Sequence, residues 1–267
     1  MMRTITLLSL FSCIVFGQEM KDNLFATLNS SSLHLFQKSE MQKMEVTSYR
    51  SSKKLGMVIE TEATYRKGNV NPNKIRYSVK YTEYYILDDR RKSIGIYEIG
   101  EDNLFKHYER TDFNSRNMRS WAYEYDYRYQ DQILSAETVT SIEYLTEGSA
   151  EVDTAHYIDS TLFTIKNNAE SIDQYPQEDE SLYTSYIVQD NRLIRTINHF
   201  SGFDETHEYT YDDQNRLIKI ENSLRDEEGR SIYTYTVLKY NNSGLISEAL
   251  FYDESDSMLE RKEFTYK

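Results

Sequence analysis

The chain has 267 residues, with 31 Lys and Arg against 44 Asp and Glu, a formal charge of −13. A strongly acidic chain whose longest basic run is Arg90-Arg91-Lys92 repels phosphate backbones, so nucleic acid is not expected as a partner. Cys13 is the single cysteine, which excludes a disulfide within the chain, and no segment after the N-terminus is apolar for long enough to cross a membrane as a helix.

Arg3 is followed by an uncharged stretch from Thr4 to Gly17, rich in Leu, Ile, Val and Phe. Residues 1–17 are read as a secretory signal, with Gln18 as the new N-terminus. A rival reading is a lipid anchor at Cys13, because Leu10-Phe11-Ser12-Cys13 loosely resembles a bacterial lipobox. Phe11 is bulky for that motif and the apolar run continues through Phe16, which favours ordinary cleavage. Both readings predict export, to the periplasm, the outer membrane or the medium.

Residues 18–44 carry apolar positions at helical spacing (Met20, Leu24, Phe25 and Leu28, then Leu33, Phe36 and Met41), which predicts a short helical segment. From Glu45 the period changes to two, as in Ile75-Arg-Tyr77-Ser-Val79-Lys-Tyr81, so 45–267 is expected to form one β domain. Between Tyr144 and Glu180 nine carboxylates face Lys166 alone. With no clear period over 167–181, an acidic loop is expected there, centred on Ile172 to Glu180. It supplies oxygen ligands that calcium accepts, but at no EF-hand or RTX spacing, so it reads as a solvated loop.

The last third repeats itself. Tyr186-Ile-Val188-Gln-Asp-Asn191-Arg192-Leu193, Tyr209-Thr-Tyr211-Asp-Asp-Gln-Asn215-Arg216-Leu217 and Leu238-Lys-Tyr240-Asn-Asn-Ser-Gly244-Leu245 share one pattern. Tyr97 to Phe105 is a fainter copy, and Phe264-Thr-Tyr266 begins another. The anchors Val188, Tyr211, Tyr240 and Tyr266 lie about 23 to 29 residues apart, which suits one hairpin per repeat. Each unit reads as a strand ending in an aromatic residue, an Asp/Asn turn, Asn or Gly where a left-handed backbone costs least, and an apolar return strand. These residues resemble the tyrosine-aspartate (YD) repeats of the RHS family, best over Tyr209 to Leu217, where Asn215 replaces a glycine. The resemblance covers 183–267 well and 80–135 loosely. It implies a β-hairpin architecture and a non-catalytic surface or cargo-handling role; the chain is much shorter than RHS shells.

Two constellations are candidate sites. Trp121, Tyr123, Tyr125, Tyr127 and Tyr129 alternate with small or charged residues and share one face of a strand about 6 to 7 Å apart. That row is either a stacking platform for sugar or aryl rings or an inner sheet face; with 24 tyrosines spread over the strands, architecture is favoured. His199 and His207 flank Ser201-Gly202-Phe203-Asp204, and a hairpin centred on Phe203 would oppose them as a metal pair with Glu205 or Glu208. His34, His107 and His156 have no companion in the sequence. No nucleophile elbow, zinc-protease helix or phosphate loop is present, so no catalytic residue and no cofactor is assigned; paired carboxylates for glycoside hydrolysis depend on geometry alone.

The expected fold is mainly β: antiparallel hairpin repeats forming a strongly twisted or curled meander, a half-barrel or open cylinder, with a short helical N-terminal segment. The expected role is a non-catalytic exported binding or scaffold protein presenting its tyrosine-rich sheet to a protein or glycan partner. Alternatives are a periplasmic carrier of apolar or lipid-like cargo, which a large apolar concavity would mark, and a carbohydrate-active enzyme.

Overall fold

A computed structural model of the chain describes residues 33, 35–36, 38–52, 55–68, 76–86, 90–100, 104–130, 133–147, 150–167, 171–177, 182–190, 192–226 and 231–267. The predicted signal, Cys13 and the helical positions Met20 to Leu28 lie outside the described residues. Residues 33, 35, 36 and 38 are helical, and strand begins at Lys43, two residues before the expected boundary.

Sixteen strands follow in order: β1 (Lys43–Ser52), β2 (Gly56–Lys67), β3 (Arg76–Tyr85), β4 (Arg90–Gly100), β5 (Phe105–Phe113), β6 (Arg119–Gln130), β7 (Ile133–Glu147) and β8 (Ala150–Asn167), then β9 (Ile172–Pro176), β10 (Tyr183–Gln189), β11 (Arg192–Phe200), β12 (Phe203–Tyr211), β13 (Leu217–Asp226), β14 (Ser231–Tyr240), β15 (Ile246–Asp253) and β16 (Met258–Tyr266). Each pairs antiparallel with its sequence neighbours, the meander that was expected. The expectation of an open, curled sheet is corrected, because β1 closes on β16 and the sheet is a sixteen-stranded barrel. Met44 lies opposite Tyr266 and Val46 opposite Phe264, so the apolar row of β1 finds its partner row only by closure. Period-two alternation is the same in an open and a closed sheet, which is why the pattern alone did not distinguish them.

The acidic loop expected over 167–181 is also corrected in part. β8 runs to Asn167, and Ile172–Pro176 is strand β9, with Asp173 and Gln174 buried. A polar sequence is held as strand here because the Gln174 amide donates to the Leu134 carbonyl (2.7 Å) and its oxygen accepts from the Tyr186 hydroxyl (2.9 Å).

Alternation gives every strand an inner and an outer row. Inner rows carry Met44, Val46, Ala63, Val79, Tyr97, Tyr125, Ile220, Leu238 and Phe264, joined in one core with Leu33 and Phe36 of the helical turn. That turn packs into the near end of the barrel, where β1 begins and β16 ends: Phe36 is fully buried, 6.4 Å from the Tyr266 ring, with the Lys67 ammonium 5.2 Å above it. Outer rows carry ion pairs, among them Arg195 with Glu208 (2.6 Å), Lys239 with Glu248 (2.7 Å) and Lys267 with Glu45 (2.6 Å). A lipid-embedded barrel shows an apolar outward band about 25 Å tall; this charged wall is suited to water. No helix among the described residues is long and apolar enough to cross a membrane.

The repeated turns share one geometry. Asp212 accepts from the backbone N–H groups of Gln214 and Arg216, and Asn241 from those of Ser243 and Leu245. The residue fourth in each turn is left-handed: Asn215 at φ 64° and Gly244 at φ 75°. Asn114 and Asp253 build the same turn outside the repeats, with Asn117 and Asp256 in the left-handed place. In the first repeat Asp190 takes a positive φ of 51°. The repeating tyrosines close the units: the hydroxyls of Tyr211, Tyr240 and Tyr266 donate to the carbonyls of Leu193, Leu217 and Ile246 at 2.9, 2.7 and 2.9 Å. Each ties the end of one strand to the start of the strand immediately before it. Arg192 and Arg216 lie over the Tyr211 and Tyr240 rings at 5.8 and 4.7 Å.

Candidate functional site

The row from Trp121 to Tyr129 lies on the inner face of β6 as a graded stack. Tyr125 and Tyr127 are buried, Trp121 and Tyr123 half-buried, and Tyr129 packs against the core at the near end. Ring centroids along the row are 5.8 Å from Trp121 to Tyr123 and 6.2 Å for each of the next two steps. Tyr157 on β8 extends the stack, 6.1 Å from Trp121, and is half exposed. The inner half of the row is core, and its outer half is a half-buried aromatic surface.

A second row crosses the first around the wall. Tyr65, Tyr81, Tyr97, Tyr108 and Tyr125 sit on β2 to β6, with successive centroids 5.5, 5.6, 4.4 and 5.4 Å apart. The Tyr81 and Tyr108 hydroxyls share a hydrogen bond of 2.8 Å. Gly95, opposite Tyr81, makes room for this belt, since a Cβ there would overlap the Tyr81 ring and the Glu109 carbonyl. Desolvation pushes the Tyr65, Tyr81, Tyr97 and Tyr108 hydroxyls well above their ordinary value, so they stay neutral donors.

Charged groups are placed around the mouth end of the stack. Trp121 lies opposite Asp112 on β5 and Glu143 on β7. Asp112 is held by Arg110 at 2.6 Å, and Glu143 accepts from the Tyr157 hydroxyl at 3.4 Å. Burial works against the Arg110 charge, but Tyr108 and Asp112 beside it outweigh burial and keep the guanidinium protonated. Across the barrel, an inner polar cluster that the sequence did not reveal links Thr184, Asn198, Glu205, His207 and Asn222. Asn198 donates to Glu205 (3.1 Å) and accepts from Thr184 (3.0 Å), while His207 Nδ1 meets Asn222 Oδ1 at 2.6 Å. Burial alone would raise the Glu205 carboxyl; its contact with His207 at 3.4 Å overrides this and lowers it.

The structure does not bring His199 and His207 together. Phe200 pairs with Phe203 around a two-residue turn, so His199 faces Asp204 and His207 faces Thr196. The hairpin is centred between Ser201 and Gly202 rather than on Phe203, and the shift in parity sends the two imidazoles to opposite faces. His199 instead stacks on Tyr183 at 4.1 Å and bonds Asp204 at 2.9 Å. His107, given no companion by the sequence, has several on the outer wall: Asp126 at 3.0 Å, Glu109 at 3.1 Å and Glu124 at 3.9 Å. Burial opposes its charge, but the Asp126 and Glu109 hydrogen bonds raise it above the usual imidazole value. The signal lay in the Asn114 turn, which sets His107 opposite Asp126 and Glu109 opposite Glu124.

Among the described residues nothing plugs the far end. Leu55, Ile86, Leu145 and Ile232 stand exposed around it, beside the open part of the aromatic stack. The barrel is thus filled at one end and presents rings, carboxylates and apolar rim residues at the other.

No protein-family model and no curated protein matches the sequence. Among solved structures the chain is similar to a porin-like protein of Bacteroides uniformis, at 11% identity and TM-score 0.37 over 86% of this chain and 98% of the other. A protein of Bacteroides fragilis described as exported, with a YmcC-like fold, matches at 9% identity and TM-score 0.32, covering 86% and 96% of the two chains. A Parabacteroides distasonis protein described as a lipoprotein matches at 10% identity and TM-score 0.27, covering 86% and 96%.

Proposed function

We propose that this chain is a non-catalytic exported binding barrel that holds a protein or glycan partner at its far mouth, with Trp121, Tyr123 and Tyr157 as the gripping surface. One observation carries the reading: the aromatic stack grades from half-buried Trp121 to buried Tyr127, while the helical turn packs into the opposite end of the barrel. Stacked rings flanked by Asp112 and Glu143 suit a ligand with flat apolar faces and hydrogen-bonding or cationic edges, the chemistry of sugars and of basic side chains. Apolar cargo is disfavoured, because the apolar inner residues pack together as core and the inner wall beyond them carries tyrosines and hydrogen-bonded polar groups. The YD-type repeats serve this reading as wall-building units, and the leader over 1–17 as the means of export.

Trp121 is the sole tryptophan and reports directly. The mature chain titrated with soluble glycans, peptides and fatty acids is expected to show a saturable emission shift with a glycan or a peptide and none with fatty acids. A saturable shift with fatty acids alone would replace this reading with the carrier.

A further inference from the structure

The wall of the barrel is uneven beside this mouth. β8 has 18 residues and β9 only 5, and the two pair from Phe163 to Asn167 alone. Beyond them the Gln177 N–H reaches the Leu162 carbonyl at 2.8 Å. From Ala150 to Thr161 the edge of β8 turned away from β7 has no strand partner among the described residues. That stretch runs about 40 Å at strand rise. β9 and β10 are joined by the six residues 177–182, whose full extension of about 20 Å is half the length of that stretch.

Its side chains define what fits. On the outer row, Ile158 is 76% exposed and Leu162 50%, an apolar pair that a neighbouring strand would cover. On the inner row, Tyr157 stacks toward Trp121 and Asp159 is exposed, with Asp153 exposed nearer the tip. Pairing with a second copy about His156 would set Asp153 directly opposite Asp159, a like-charge contact that opposes self-association. A basic strand meets these carboxylates favourably, and its inward cations would reach the ring of Tyr157. The wall already seats cations on rings in this way, with Arg119 over Tyr144 and Lys166 over Tyr175, each at 4.2 Å.

We infer that the β8 edge from Ala150 to Thr161 is a strand-addition site for an extended segment of a partner protein that alternates Lys or Arg with apolar residues. This rests on the mouth-binding reading and names its partner class. Main-chain hydrogen bonds supply the attachment, Asp153 and Asp159 select the cations, and Ile158 and Leu162 cover the apolar row.

The test uses the mature chain, a short synthetic peptide alternating lysine with valine, a glutamate–valine counterpart, and two versions of the lysine peptide N-methylated on one or the other set of alternate residues. Trp121 emission reads the mouth, and amide hydrogen exchange reads residues 150–161. The lysine peptide is expected to shift the emission saturably and slow exchange across 150–161, while the glutamate peptide does neither. One of the N-methylated versions, and the variant Asp153→Lys/Asp159→Lys with the parent peptide, should each bind roughly tenfold more weakly or worse. If both N-methylated versions bind as tightly as the parent, or exchange over 150–161 is unchanged by bound peptide, strand addition is overturned while mouth binding stands. A glycan shift with an inert lysine peptide has the same meaning. Silence from every glycan and peptide overturns both readings.

Discussion

The sheet from β11 to β16 and the arm formed by β7 and β8 are built from the same alternating pattern, yet among the described residues only the first has strand partners along both edges of every strand. In β11 to β16 the strands have 8 to 10 residues, and a tyrosine hydroxyl at the end of β12, β14 and β16 locks each to the strand before it. In the arm the strands have 15 and 18 residues, overrun their neighbours, and leave a main-chain edge beside exposed Tyr157 and Ile158. Strand length against the neighbour, rather than composition, separates scaffold from surface here. A repeat that fixes where each strand stops also removes the edges a partner could use.

The comparison is open to four tests, the most severe being alkaline. Burial pushes the Tyr209 and Tyr240 hydroxyls up to about 12 from 10, while the unfolded chain ionises near 10. Stability is complete below pH 10, declines above it as the unfolded state releases protons the folded state keeps, and is lost as pH passes through about 12. Tyrosinate absorbance of these groups should therefore rise together with loss of the sheet's circular dichroism. Ionisation of the buried tyrosines in a barrel that stays folded would show that the repeat is looser than its hydrogen bonds indicate.

The same truncation made in each region should give unequal results. Leu238→Ala, at a site 3% exposed, is expected to cost about 3 kcal/mol in urea unfolding, and Leu162→Ala on the arm less than about 0.5. Equal costs would mean that Leu162 is packed as tightly as Leu238. Gly244→Val should lose about 1 to 2 kcal/mol although nothing lies within 4 Å of its Cβ position, because φ there is +75° and the penalty is wholly in the backbone. Within the repeat the smaller effect is expected for Tyr240→Phe, about 1 kcal/mol, from leaving the Leu217 carbonyl without its donor. A larger loss on Tyr240→Phe than on Gly244→Val would place the lock, not the turn, at the centre of the repeat.

The sequence pointed to this division unevenly. Turns were readable because Asp212-Asp-Gln-Asn215 and Asn241-Asn-Ser-Gly244 specify their own backbone through side-chain acceptors and a left-handed residue, a purely local code. The inner face of the Trp121 row was readable from its alternation. Closure was not, because the pairing of Met44 with Tyr266 is a relation between distant residues that no local window contains. The histidine pair failed on an odd shift of register, three residues, set by the turn at Ser201-Gly202, the level at which hairpin parity is least determined by composition. Strand β9 was missed because Gln174 and Asp173 become strand only through partners on other strands, and the His107 cluster because its members meet across a turn.

The seam between β1 and β16 has a kinetic meaning. Lys43 and Lys267 exchange main-chain hydrogen bonds at 2.9 Å, and Tyr49 bonds Glu263 across 214 residues, whereas every other strand pairing joins neighbours in the chain. Nearly all of the barrel can form by local hairpin growth at small loop-closure entropy, leaving one long-range step. The seam is the long-range step that raises the contact order. A circular permutant that links residue 267 to residue 43 and cuts the chain at a tight turn would turn that slow pairing into a local one.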